Sequence, residues 1–453
     1  MRTKPVTFII ALLVVAVGVA FVAGWRIGGS RRSAAPAATL PAATPSPAIA
    51  RISFEFTIPQ DTPPGEPLYL VGSFNGWNPA DPQFQLQRVA DMATGTWALS
   101  TSHVLEYKIT RGSWQTVEKG ERGVEITNRV LTPTADATVA GRVFEWADRA
   151  SPDQKIYDSR VERVTFASPA LGVERTFYVY LPPEAREDEA ARFPSLYLLR
   201  GHEREWINKG EDKSRRGERN VIDVYEELRA AGAIGPLVLV FPGMTSANGA
   251  IHSLGINMRA PELAKDPSIG NGRFEDYFFA DLIPYVEQNY PVLPGGEHRA
   301  IDGFSLGGFM SVNLALLRPG SFASVGAYDG LYFWDDPATG ATVALTDTVF
   351  ARSLFDANFG VPRDRTFAAK HNPTTLLRTN GVAAPDLQWL IEFGPEQAEP
   401  NVNFFRGDRL LTLLAQRGAV NQLAGALPDG IHTWEMADAH LRRALPLHWQ
   451  RVK

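Results

Sequence analysis

Polar and apolar positions divide the chain into four stretches. Residues 6–25 form an apolar run without a charge, with Arg2 and Lys4 before it and Arg26, Arg31 and Arg32 after it. A run of ~20 apolar residues is long enough to cross a bilayer as a helix. Residues 1–32 are therefore expected to be a signal anchor, or a signal peptide cleaved near Ala23 or Gly24. Residues 33–50, SAAPAATLPAATPSPAIA, are uncharged and rich in Ala, Pro, Ser and Thr, the composition of an extended, semi-stiff linker. Over residues 51–148 short segments separated by turn residues alternate between apolar and polar, at 52–58, 67–74, 96–100, 105–111, 124–131 and 142–146. Strands this short and evenly spaced predict a small all-β, immunoglobulin-like sandwich. From 159 to 453 the pattern changes again. Nearly continuous apolar runs at 175–182, 195–200, 237–242, 300–304, 324–330 and 388–394 read as buried strands, and 221–232 and 277–290 repeat with a helical period. Buried strands interleaved with helices predict an α/β domain built on a mainly parallel sheet.

Composition removes several classes of function. The 44% hydrophobic and 21% charged residues are ordinary for a folded protein, which excludes wholesale disorder. A net charge of −5 carries no overall basic footprint, so no nucleic-acid partner is expected. The absence of cysteine excludes a disulfide framework, thiolate metal ligands and a cysteine nucleophile. No glycine-rich phosphate loop follows the strands, which argues against nucleotide chemistry. Neither a metal nor a cofactor is expected.

One motif carries chemistry. Gly303-Phe304-Ser305-Leu306-Gly307-Gly308 lies between the strand-like segment ending at 304 and the helical segment that follows. In that strand–turn–helix setting G-x-S-x-G is a nucleophile elbow, whose glycines permit the tight turn that lifts the serine. The helix N-terminus then faces a developing oxyanion. The α/β-hydrolase arrangement needs a histidine downstream, after the last strand. Only His432, His440 and His448 come late enough; His432 sits in a turn and the other two within a final helical stretch, so His432 is the expected general base. The oxyanion donors are expected to be the backbone N–H of Leu306 and another from the Gly201-His202 turn.

Together, Leu198-Leu199-Arg200-Gly201, the GFSLGG elbow and Gly430-Ile431-His432-Thr433-Trp434 resemble the D-family esterases, which group feruloyl, acetyl-xylan and enterobactin esterases. The family usually has His-Gly where this chain has Arg200-Gly201. The resemblance puts the triad acid a few residues past Gly394, nearest Gln397, which Glu396 and Glu399 flank. Glu396 is the first choice and Glu399 the second, with Asp329 at the end of an earlier strand, or a dyad without an acid, as the remaining alternatives. The charged loop 201–220 reads as a solvated flap or a lid, and Trp206 and residues 245–276 as candidates for the pocket wall.

The smaller unit has its own motif. Gly72-Ser73-Phe74-Asn75-Gly76-Trp77-Asn78, Glu106-Tyr107-Lys108, Trp114 and Asn128-Arg129 resemble the starch- and glycogen-binding family of carbohydrate-binding modules. The resemblance implies sugar stacking on Trp77 and Trp114 and a polar contact from Lys108, although the stretch from Trp114 to Asn128 is longer than in that family. An indole face suits the C–H face of a pyranose. Trp97, inside an alternating strand, is expected in the core. The whole reads as an exported, membrane-tethered serine esterase acting on acyl esters of carbohydrates, with a polysaccharide as a further partner of the sandwich. The alternatives are acyl transfer to a sugar hydroxyl, or a catalytically silent glycan-binding protein of the envelope.

Overall fold

In the computed structural model the described residues are 49–101, 103–120, 126, 128–149, 158–247, 249, 251–379 and 384–453. The expected anchor over 1–32 and all of the expected linker but Ile49 and Ala50 lie outside them. Ile49 and Ala50 already belong to the first strand. Among the described residues no helix is long and apolar enough to cross a membrane.

The first unit contains β1 (Ile49–Thr57), β2 (Leu68–Gly72), β3 (Gln85–Val89), β4 (Met92–Ser100), β5 (Leu105–Thr110), β6 (Glu118–Lys119), β7 (Arg129–Leu131), β8 (Ala137–Arg142) and β9 (Glu145–Trp146). Strict alternation on β1 buries Ala50, Ile52, Phe54 and Phe56 and turns Arg51 and Glu55 outward. Two separate sheets were expected, but the strands run in one continuous order, β7-β5-β2-β3-β4-β1-β8, with β6 and β9 paired apart. The reason lies in β3, whose first residues pair with β2 (Leu68↔Leu86) and whose last pair with β4 (Arg88↔Ala93). A strand that changes partners along its length turns the corner between two layers. The sheet folds over at this corner, and Phe54 of β1 meets Tyr107 of β5 edge to face, with ring centroids 5.3 Å apart.

The tryptophan at the heart of this core is Trp146, fully buried, with its Nε1–H donating to Thr62 Oγ1 at 2.8 Å. Trp97 is only half-buried, lying over Gly95 with its Nε1–H on the Gln83 carbonyl at 2.6 Å. Trp146→Ala should therefore cost about 3–5 kcal/mol, the range for emptying a core aromatic site. Trp97→Ala should cost less; denaturant unfolding of the full chain followed by circular dichroism measures both.

The second unit contains β10 (Val161–Ser168), β11 (Val173–Tyr180), β12 (Ser195–Leu199), β13 (Val238–Phe241), β14 (Arg299–Gly303), β15 (Ser324–Tyr328), β16 (Gln388–Phe393) and β17 (Gly425–Ala426). Their order is β10-β11-β13-β12-β14-β15-β16-β17. The β10–β11 and β11–β13 pairs are antiparallel and the rest parallel. This mixed sheet with helices packed on it is the α/β-hydrolase fold. The helix Leu306–Leu317 is buried along all but its last residue, which explains why its sequence is apolar on every side.

Residues Pro47–Lys453 form one unit in which the small sheet is seated on the α/β part. Asn401 donates through Nδ2 to the Val104 carbonyl. At the Asn75-Gly76 turn, a Cβ on Gly76 would lie 3.5 Å from Arg352 Nη2. Every residue of β5 is buried, because one side faces the module's own core while the other is covered as well. Lys108 on that covered side feels Glu211 and Asp212 of the loop after β12.

Candidate active site

Ser305 stands between β14 and the Leu306–Leu317 helix with φ 59° and ψ −114°, a conformation that a non-glycine residue holds only under constraint from its surroundings. Its N–H donates to the Tyr328 carbonyl at 3.0 Å. The glycines around it are needed for close approach. A Cβ on Gly307 would lie 1.9 Å from the Leu199 carbonyl oxygen, and one on Gly303 would lie 2.2 Å from the Gly307 carbonyl. Leu306 opens the helix, where an N–H has no intrahelical acceptor.

His432 donates its Nδ1–H to Asp329 Oδ2 at 2.5 Å. Asp329 is fully buried, follows the last residue of β15 and takes a positive φ of 48°. Its carboxylate also accepts from the Asn403 N–H at 2.9 Å, while its own N–H donates to the Glu392 carbonyl at 2.8 Å. The residue before it, Tyr328, donates its hydroxyl to the Ile431 carbonyl at 2.7 Å and so fixes the loop carrying His432. Phe304, the residue before Ser305, packs on His432 with ring centroids 4.7 Å apart. The carboxylate at His432 thus comes from the strand next to the elbow strand, not from the loop after β16. Glu396 opens a short 3-10 turn, and Glu399 turns its Oε1 to the Phe405 N–H at 3.2 Å. The reason is geometric. The loop after β16 is spent on the Asn403 amide that holds Asp329, and β15 ends directly under His432.

The turn expected to give the second oxyanion donor is occupied. The His202 N–H donates to Glu205 Oε2 at 2.5 Å, closing a capping-box-like turn with Glu205 N–H on the His202 carbonyl at 3.1 Å. Gly201 has no room for a side chain, since a Cβ there would lie 2.9 Å from His252 Cε1. Glu203 in the same turn is pushed up to about 7 by burial. Trp206, expected in the pocket wall, is instead fully buried, with its Nε1–H on the Leu199 carbonyl at 3.0 Å and its ring edge-on to Trp434.

Trp77 and Trp114 do meet, with ring centroids 6.1 Å apart and planes 36° apart, and Trp77 has a φ of 61°. Lys108 does not share an open edge with them. It is 7% exposed, and its Nζ donates to the Ile126 carbonyl at 2.6 Å. Burial pushes its ammonium down, with Glu118, Glu211 and Asp212 pulling the other way.

A buried ionic network that sequence reasoning missed lies behind the site. His440 bridges Glu392 Oε2 at 2.8 Å and Asp302 Oδ2 at 3.1 Å, and His448 bridges Ser324 Oγ at 2.8 Å and Asp302 Oδ2 at 3.0 Å. All three ionisable partners of this chain of contacts that face Asp302 or Glu392 from the last helix come from Trp434–Val452, with Arg443 clasping Glu392 at 2.9 Å. Asp302 also accepts from the Gly303 N–H at 2.6 Å, so the network grips the strands that deliver Ser305 and Asp329. The only sequence signal was the spacing of His440, Arg443 and His448 along one helix face, which also fits a solvated face.

Burial alone would push the His440 imidazole down; Asp302 and Glu392 overcome it and raise it to about 9. Against an unfolded value of about 6.5, this group stabilises the fold fully below pH ~6.5, and the contribution fades as pH rises through ~9. It amounts to on the order of 3 kcal/mol. Thermal melts from pH ~6 to ~9.5 should show the midpoint falling, and His440→Gln should be less stable at pH ~6 with a flatter profile. An unchanged slope in the variant would contradict this assignment.

The geometry meets known proteins at this point. Residues 168–358 match the family model described as "Esterase: Putative esterase". An α-amylase of Niallia circulans is 44% identical over 108 residues, 23% of this chain and 8% of that protein. An endo-1,4-beta-xylanase/feruloyl esterase of Xylanibacter ruminicola is 27% identical over 178 residues, 39% of this chain and 22% of that protein. The chain thus spans less than a quarter of the length of either. A solved ferulic acid esterase covers 66% of this chain and 100% of its own length at 21% identity and a TM-score of 0.47.

Proposed function

We propose that this chain is a carboxylic ester hydrolase working through an acyl-enzyme on Ser305. The observation that carries the reading is the Asp329–His432 contact of 2.5 Å behind a strained Ser305 elbow. With Nδ1–H held by Asp329, the imidazole keeps its basic nitrogen at Nε2. His432 then takes the Ser305 proton as Oγ attacks the ester carbonyl and returns it to the leaving alcohol. Water repeats the sequence on the acyl-enzyme and releases the acid. Leu306 N–H receives the oxyanion. The match of residues 168–358 to the esterase model supports this reading.

The substrate follows as an acyl ester of a carbohydrate, supported by the Trp77–Trp114 pair and by the similarity to an α-amylase. The location follows as outside the cytoplasm, tethered through residues 6–25. The test is incubation of the full chain with a serine-directed phosphonate and with a series of para-nitrophenyl acyl esters. Labelling on Ser305 with release of free acid is expected. Absence of both, with the fold intact, would remove the reading.

A further inference from the structure

The position where the resembling esterases carry histidine holds Arg200 here, and its surroundings are unusual for a guanidinium. Its Cζ lies 4.7 Å from the centroid of the Phe304 ring and 5.6 Å from that of Trp434. Phe304 precedes Ser305 and packs on His432, so Arg200 shares one aromatic ring with the general base. Its backbone is pinned as well, since a Cβ on Gly307 would lie 2.8 Å from Arg200 N. Yet its Nε is buried without a hydrogen-bond partner, and among the described residues no carboxylate pairs with it. Arg216 is the internal contrast. It stacks on the same Trp434 at 5.1 Å but is clasped by Asp438 at 2.7 and 2.8 Å.

The other ionisable groups around it do not supply the missing anion. Glu211 feels Arg200 but also Lys119 and Lys108, and burial pushes its carboxyl up. Glu205 is engaged by the His202 N–H. His252 is pushed down to about 4 by burial, with Arg200 adding to the shift, and so is neutral. A partly buried cation left unpaired is costly unless something completes it, and guanidinium stacked on an aromatic face is preorganised to take a carboxylate or phosphate through its fork.

We infer that Arg200 is a specificity determinant that binds an anionic group carried by the ester substrate beside the scissile bond. The inference rests on the ester-hydrolase reading. It narrows the substrate to acidic esters, in which a carboxylate or a comparable oxyanion sits on the alcohol or on the acyl part.

Two matched pairs test it. On the alcohol side these are para-acetoxybenzoate and its neutral counterpart para-acetoxybenzamide. On the acyl side they are mono-para-nitrophenyl succinate and its methyl ester. In the wild type one anionic member should have the higher kcat/KM, and which pair shows it locates the charged group. Arg200→Gln should lower that anionic-to-neutral ratio about tenfold or more, while loss of stacking alone would depress both members alike. Raising ionic strength from ~0.02 to ~0.5 M should shrink the wild-type ratio as well, a readout that needs no variant to fold. Calorimetric binding of para-acetoxybenzoate and mono-para-nitrophenyl succinate, each against its neutral partner, in a Ser305→Ala background asks the same question without turnover. Equal ratios in wild type and Arg200→Gln, insensitive to salt, with equal binding of both members, would overturn the inference. Failure of the wild type to hydrolyse any of the four esters would count against the hydrolase reading instead, and the binding comparison would still decide the anion site.

Discussion

Ser305→Ala is expected to lower ester turnover by about five orders of magnitude, while the melting temperature stays close to that of the wild type. The hydroxyl contributes little packing, and the backbone at φ 59° is held from outside. The elbow is fixed by the Tyr328 carbonyl on the Ser305 N–H and by the glycine contacts with Leu199 and Gly307. Residual activity from oxyanion stabilisation and binding persists when a nucleophile is removed, so the variant should sit above the uncatalysed rate. Single-turnover assays, with circular dichroism to confirm the fold, measure both. Turnover within tenfold of wild type would mean that another group attacks the ester.

Asp329→Asn should lower kcat by about four orders of magnitude. An amide at that position can donate its N–H to Nδ1, which leaves the proton on Nε2 and abolishes the base facing Ser305. Glu396→Gln and Glu399→Gln should each stay within about threefold of wild type, because neither carboxylate reaches His432. The three variants compared at one pH locate the acid. A severe loss in Glu396→Gln with a mild one in Asp329→Asn would restore the loop after β16 as its source.

That contrast shows what the sequence could and could not disclose. The elbow was legible because G-x-S-x-G carries a local backbone demand, and the demand is written in adjacent residues. His432 was legible by elimination, since few histidines come late enough in the chain. The carboxylate that meets His432 was only a remaining alternative, because Asp329 and His432 are 103 residues apart in the chain and come together through strand order. A carboxylate one strand earlier gives the same one-letter signal as a surface aspartate. His440 was read as bland for a similar reason. Its partners Asp302 and Glu392 lie on two different strands, and nothing local marks a helix histidine as buried. Most strands fell near their expected bounds, since burial on both faces leaves a continuous apolar run. The exceptions, β3, β6, β8, β10 and β17, are two residues long or carry more polar residues, and they lie at an edge, at a corner or in a separate pair.

The seating of β5 on the hydrolase bears on how freely this protein can be taken apart. Small β modules are commonly treated as cassettes, to be cut out, swapped or fused elsewhere. Here the covered side of β5 holds Lys108 away from water, and Val104 and Gly76 lie against hydrolase residues. Excision of residues 51–148 would bare surface on both halves, so each half expressed alone should associate or lose solubility more readily than the intact chain.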